Sequence, residues 1–334
     1  MRALRTTPAG VRLDPRTPAP APEPGEALVR VTRAMISRGE ARAAATPAGT
    51  PPFTLGREFV GIVEKLTPGS SASGIAGGPE LRRLQGKRIV ASASVVCGQC
   101  DLCRHGLSTH CRNRIMLGTP PPTGRDGCFA DLVRIPAANL YPVPDSVDDD
   151  RAVWAWTLSQ AAHAARHVRF ETRPYVSVLG DGALGLLCAQ TLARLNASVR
   201  LLGRHETRME LCAKWGVKHR PADEVGHRED QDVVVDCTGS PSGLEFALKL
   251  VRPRGTVILM GDQSPGQIDL GPVVENEIEI VGCRGGSIPD ALRMLEREQA
   301  DVPSLVSRRF KLDSGVEAIQ AAARPESLRV LLDI

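Results

Sequence analysis

Between residues 26 and 96 apolar and polar positions alternate in short runs: EALVRVTRA (26–34), FVGIVEKL (59–66) and KRIVASASVV (87–96). Pro- and Gly-rich stretches separate them, so the pattern predicts strands of a compact β-barrel-like unit. The segment SSASGIAGG (70–78) reads as a surface loop, since no helical pattern follows it. Past residue 150 the rhythm changes. VSVLG, SVRLLG, DVVVDCTG, GTVILMG and EIEIVGC are strand-like, and ALGLLCAQTLARL, TRMELCAKWG and GLEFALKLV between them carry helical spacing. Strands alternating with helices predict a parallel sheet covered on both faces. VSRRFKL, SGVEAIQAAA and RVLLDI close the chain as strand, helix and strand, expected to return to the first unit. The fold class is therefore α/β, with a β-rich domain at 1–149 completed by 302–334 and a doubly wound domain at 150–301.

Composition narrows the classes. A hydrophobic fraction of 42% and a charged fraction of 24% over 334 residues suit packed globular domains. A net charge of +4, with scattered arginines, gives no footprint for nucleic acid. No apolar run reaches the roughly 18 residues that span a bilayer, and no signal-peptide pattern opens the chain, so a cytoplasmic protein without a membrane partner is expected.

Two motifs carry chemistry. CGQCDLCRHGLSTHC supplies Cys97, Cys100, Cys103 and Cys111, a spacing that can surround one zinc ion tetrahedrally and leave no open position. Such a site staples a loop. Cys128, Cys188, Cys212, Cys237 and Cys283 stand in apolar or Gly-flanked contexts and read as small buried hydrophobes. Residues 1–96 contain neither Cys nor His, so a catalytic zinc would lack its usual ligands there.

The second motif is G-x-G-x-x-G, with Gly180, Gly182 and Gly185 following a strand and opening a helix at Ala183 and Leu184. In that setting a dinucleotide pyrophosphate sits on the helix N-terminus. The end of the next strand selects the cofactor. Gly203 stands where an acid would bond the ribose 2′-hydroxyl of NAD, followed by Arg204 and His205. Without that acid, and with Arg204 offering a guanidinium to a 2′-phosphate, the reading is NADP, with NAD the alternative.

With the cysteine lobe, GREFVGIVE (56–64), GDGALG and DCTGS (236–240), the chain resembles the zinc-containing medium-chain dehydrogenase/reductase superfamily of alcohol, sorbitol and threonine dehydrogenases. The resemblance covers essentially the whole chain. It implies a GroES-like catalytic domain, a Rossmann domain, an active site in the cleft between them, and homodimers paired along the last Rossmann strand. It also implies that Thr238 and Gly239 border the cofactor's adenosine side, that Met260 and Gly261 lie near the nicotinamide, and that Arg38 faces the pyrophosphate.

The departures bear on mechanism. Where the family holds catalytic zinc with Cys, His and a third Cys, Glu or Asp, this chain has Ser37 in ISRGE, Arg57 in GRE and Trp156 in VWAWTLSQAAHA. Arginine has no lone pair to give a metal. Glu40 and Glu58 persist, and Gly39 replaces the proton-relay hydroxyl. One structural zinc and no catalytic zinc are expected. Arg57, Ser37, Glu58 and Glu40 are the candidate catalytic residues, with Arg57 a transition-state stabiliser, a carboxylate anchor, or a filler paired to Glu40 or Glu58. Trp154, Trp156 and Phe53 are candidates for apolar walls or core. The expected activity is NADP(H)-dependent oxidoreduction of a carbonyl or alcohol. The alternatives are reduction of a polarised C=C bond, or non-catalytic NADP(H) binding.

Overall fold

A computed structural model describes residues 1–44, 50–69, 82–170, 173–226 and 228–334. The 70–78 segment read as a loop lies outside the described residues. The chain divides into two compact units, Met1–Trp156 with Leu305–Ile334, and Thr157–Ser304.

The first unit is built on β1 (Glu26–Ile36), which pairs antiparallel with β2 (Glu58–Leu66). Outward from β2 come β3 (Arg88–Ala91) and β5 (Leu140–Pro142), while β4 (Leu132–Pro136) pairs with the first half of β1. Alternate residues of β1 and β2, among them Val29, Val31, Phe59 and Val63, fill a core with Leu4, Leu55, Phe129 and Ile135. Each such side chain stabilises the unit by about 1.5–3 kcal/mol relative to exposure. The run at 87–96 does not remain one strand. Ser92 Oγ accepts from Ser94 N–H and donates to Ser94 O, and this local turn diverts the chain after Ala91. Ser94–Val95 then pairs with Ile115–Leu117 at the root of the cysteine lobe.

The C-terminal segment forms β12 (Val306–Lys311), helix α6 (Gly315–Ala323) and β13 (Arg329–Asp333), and β13 pairs antiparallel with β1. Leu312, Ile319, Val330 and Leu332 enter the same core. The pairs Leu331↔Met35 and Val330↔Ile36 anchor the end of β1, from which Ser37 departs.

The second unit is a six-stranded, all-parallel sheet. In chain order its strands are β6 (Tyr175–Leu179), β7 (Ser198–Gly203), β8 (Lys218–Pro221), β9 (Gln231–Asp236), β10 (Val251–Met260) and β11 (Glu279–Cys283). Their spatial order is 8-7-6-9-10-11, so the direction of winding reverses between β6 and β9. Ligands bind open α/β sheets at that switch, beyond the strands' C-terminal ends. Helix α3 (Ala183–Ala193) follows β6, α4 (Pro241–Leu248) follows β9 and α5 (Ile288–Glu296) follows β11. The helix expected in TRMELCAKWG is two four-residue turns, Glu206–Met209 and Leu211–Lys214, parted at Glu210. Among the described residues no helix is long and apolar enough to cross a membrane.

Candidate functional site

The four lobe cysteines converge. Sγ of Cys111 lies 3.5 Å from that of Cys97 and 3.9 Å from that of Cys100, and all four sulfurs fall within 4.8 Å of one another. Tetrahedral zinc at about 2.3 Å from each sulfur would space them about 3.8 Å apart. Backbone N–H groups already point at sulfur: Cys97 N–H donates to Cys111 Sγ at 3.3 Å, and Cys100 N–H to Cys97 Sγ at 3.4 Å. The N–H groups of Gln99 and Cys100 hold the Cys97 thiol down at about 6, as a thiolate ligand requires. Desolvation and the neighbouring thiols push Cys103 up to about 12, a cost that a cation would remove. The donor set fits a structural zinc.

In the first unit, the register pair Met35↔Glu58 sets the last residue of β1 and Ser37 beside the start of β2 and Arg57. Ser37 caps helix α1 (Arg38–Ala43): its hydroxyl accepts from Glu40 N–H at 3.1 Å, while Glu40 Oε2 accepts from Ser37 N–H at 2.8 Å. This reciprocal box satisfies two orphan helix donors. Both side chains are therefore engaged in holding the helix start. Glu40 is only 1% exposed, and its Oε1 is buried without a hydrogen bond. Arg38, the first residue of this helix, is half-buried.

Among the described residues Arg57 Nε is buried and makes no hydrogen bond. Glu58 is 6% exposed, and its carbonyl faces the Cys128 thiol at 3.7 Å. Burial, then the carboxylates of Glu40 and Glu58, push that thiol far above its ordinary value, which suits the inert role read from sequence. Trp154 and Phe53 are buried in the first unit, where Phe53 also lines a cavity with Arg5 and Pro52; Trp156 is partly exposed.

The second unit gathers its candidates at the strands' C-terminal ends. Gly180 has φ +99°, which favours glycine, and a Cβ on Gly185 would stand 1.9 Å from Gly180 O, so helix and strand touch there. A Cβ on Gly182, the α3 N-cap, would meet nothing within 4 Å. The space before the helix N-terminus is open, and its free N–H groups, beginning with Ala183 and Leu184, fit a pyrophosphate. Thr238 donates from its hydroxyl and its N–H to Asp236 Oδ1, at 2.7 and 2.8 Å. Gly239 (φ +66°) abuts Asp262, and Ser264 N–H donates to Gly239 O at 2.9 Å, which joins the turn after β9 to the Met260–Gly261 turn after β10. Cys237 is partly exposed as a residue, but its thiol is buried, 3.9 Å from the sulfur of Cys188.

At the adenosine end the structure supplies a group that sequence reading missed. Asp181, the first variable residue of the glycine motif, is 6% exposed and turns its carboxylate onto the end of β7. Its Oδ2 accepts from Arg204 N–H at 2.7 Å and His205 N–H at 2.6 Å, and the His205 ring nitrogen Nδ1 lies 3.0 Å from Oδ1. Buried Arg208 adds a guanidinium at 3.5 Å. Desolvation alone would raise this carboxyl's pKa, yet these donors hold it below the ordinary value. A Cβ on Gly203 would come within 2.6 Å of Oδ2, so Gly203 is small because Asp181 fills its side-chain space. An acid is thus present at this end, already engaged, while the Arg204 side chain is exposed and unpaired among the described residues. The signal was the acid inside the glycine motif, which only the fold brings to β7.

A cavity of about 1100 Å³ lined by Arg173, Arg200, Lys218, Arg220 and Arg228 lies at the opposite, N-terminal end of this sheet and touches none of these candidates. A second set of possible ligand atoms, on His163, His167 and Cys283, also falls within 4.8 Å.

Residues 23–145 match the alcohol dehydrogenase GroES-like domain, and residues 183–299 match the zinc-binding dehydrogenase domain. L-threonine 3-dehydrogenase of Vibrio cholerae serotype O1 is 27% identical over 298 residues, 84% of this chain and 82% of that protein. Among solved structures, the alcohol dehydrogenase TADH of Thermus sp. ATN1 superposes with TM-score 0.87 at 25% identity, over 100% of both chains. A Sinorhizobium meliloti protein described as a zinc-binding dehydrogenase and solved with NADP superposes with TM-score 0.84 at 24% identity, over 100% of this chain and 99% of that one. The two domain matches, the parallel sheet with its glycine turn and the four-cysteine lobe agree: the chain belongs to the zinc-containing medium-chain dehydrogenase/reductase superfamily.

Proposed function

We propose that the protein is an NADP(H)-dependent oxidoreductase interconverting a carbonyl compound and its alcohol without a catalytic zinc. The observation that carries this reading is Arg57, a permanent cation with a buried, unpartnered Nε at the position where the family motif has its zinc-binding histidine. The glycine turn at 180–185 would hold NADP(H), which would provide the hydride when bound. Arg57 donates a hydrogen bond to the oxygen that gathers negative charge, a role a metal fills as Lewis acid in zinc enzymes. The Ser37–Glu40 box fixes the turn at the end of β1. Cys97, Cys100, Cys103 and Cys111 hold a zinc that takes no part in the reaction.

Arg204 is the group for the 2′-phosphate, since the nearby acid, Asp181, is already met by donors on its own chain. NADPH is expected to bind about tenfold or more tightly than NADH, a margin of about 1.4 kcal/mol. Arg204→Ala should erase most of it in a fluorescence titration, and equal affinities in the unmutated protein would remove the assignment. Turnover of NADPH with aldehydes, ketones and enones tests the reaction. Consumption of enones alone would move the assignment to C=C reduction, where hydride adds to the β-carbon and less Lewis-acid assistance is needed. No turnover with any class would leave a binding protein.

We also propose a homodimer. Among the described residues strand β11 pairs only with β10 and leaves an open edge, and Leu270 and Val274, just before it in the chain, are 55% and 79% exposed. Open edges are normally covered or paired. Light scattering at micromolar concentration should give twice the chain mass; a monomer would end the argument.

A further inference from the structure

We infer that His163, His167 and Cys283 form a second metal-binding site, one that takes a borderline-soft divalent cation such as zinc. The inference goes beyond the proposed reaction and does not depend on it, because all three residues lie within the Thr157–Ser304 unit.

His163 lies in helix α2 (Ala155–Ala164), and His167 ends the single tight turn that continues it, Ala165–His167. Four residues apart, they present their rings on one helical face. The rings meet edge-on, with centroids 5.4 Å apart and planes at 85°. Cys283 comes from elsewhere in the chain: it is the last residue of β11, paired with Met260 of β10, and it is 5% exposed. One ring nitrogen of each histidine and the Cys283 sulfur all lie within 4.8 Å of one another.

A second observation points to a ligand. His167 Nε2 is buried and has no hydrogen bond among the described residues. Buried polar atoms are normally satisfied, and with its proton on Nδ1 this ring offers at Nε2 a lone pair that no described donor meets. A cation supplies one.

Two imidazoles and one thiolate form a borderline-soft set suited to zinc rather than to magnesium or calcium, which prefer oxygen. Tetrahedral zinc at about 2.0–2.3 Å would set these atoms about 3.3–3.8 Å apart, so the side chains need draw in by only about 1 Å. On coordination the thiol releases its proton to solvent. Three protein ligands leave a fourth position for water or an exogenous ligand, unlike the closed four-cysteine site. With one ligand fewer, this site should be emptier in protein purified without added metal and fill on loading.

The test is zinc content after loading with excess zinc and desalting. Unmutated protein should carry two ions per chain. His167→Phe and Cys283→Ala, both remote from the cysteine lobe in sequence, should carry one. A single ion in loaded unmutated protein, or a second ion retained by both variants, would overturn the inference. Should neither variant fold, X-ray absorption at the zinc edge of the loaded unmutated protein decides. A nitrogen shell at about 2.0–2.1 Å beside sulfur at about 2.3 Å supports the site, and sulfur alone rejects it.

Discussion

Arg57→Ala is expected to lower turnover by on the order of 10²-fold or more, the scale seen when one donor to a developing oxyanion is removed. Thermal stability should change little. Removing one partner of a buried ion pair costs about 3–5 kcal/mol, but Arg57 Nε makes no hydrogen bond among the described residues. Steady-state kinetics and a melting curve on the same variant separate the roles. A fall in kcat at constant Tm marks charge stabilisation. A rise in KM with kcat kept marks an anchor for a substrate carboxylate. Arg57→Lys retains the charge but loses the planar fork, so it should recover part of a charge effect and little of a bidentate one. Wild-type kinetics in Arg57→Ala on the true substrate would exclude both roles.

Replacing Cys103 by Ser should release the lobe zinc and lower the melting temperature of the first unit by on the order of 10 °C. The reason lies in how little else holds the segment between Val95 and Ile115. Its helical turns, Asp101–Arg104 and Ser108–His110, bury no side chain, and the Arg112–Asp101 ion pair at 2.8 Å is exposed. Exposed pairs contribute about 0–1 kcal/mol. Four sulfurs closed around a zinc ion would therefore be the main tie. Calorimetry and zinc analysis of Cys103→Ser give the result, and an unchanged melting curve after complete zinc loss would show that the lobe folds without its metal.

Sequence made legible what is local. The glycine turn lies within six residues, and strand, turn and helix obey one short pattern. The cysteine lobe spans fifteen residues, so its spacing alone predicts convergence. Ser37 and Glu40 were also readable in another sense: S-x-x-E is a capping-box signature, and the fold uses it so, although both were read as candidates for chemistry. What stayed hidden depends on tertiary approach. Asp181 reaches Gly203 only once β6 and β7 lie side by side, and His163 meets Cys283 only after five strands have stacked between them in sequence. The large aromatics are ambiguous for the opposite reason. Trp154 and Phe53 have compositions equally suited to a pocket or a core, and packing buries both.

The Asp181–Gly203 contact limits how the cofactor preference of this scaffold can be redesigned. The usual route toward NAD grafts an aspartate onto the end of the second strand. Here even a methyl group at residue 203 would press against Asp181 at 2.6 Å, and a carboxylate would set two like charges in one partly buried pocket. Conversion has to begin in the glycine loop. Changing Asp181 first would vacate the space, free the N–H groups of Arg204 and His205, and only then admit an acid on the strand. The two positions form one packed unit, so an acid placed at residue 203 with Asp181 kept produces a misfit.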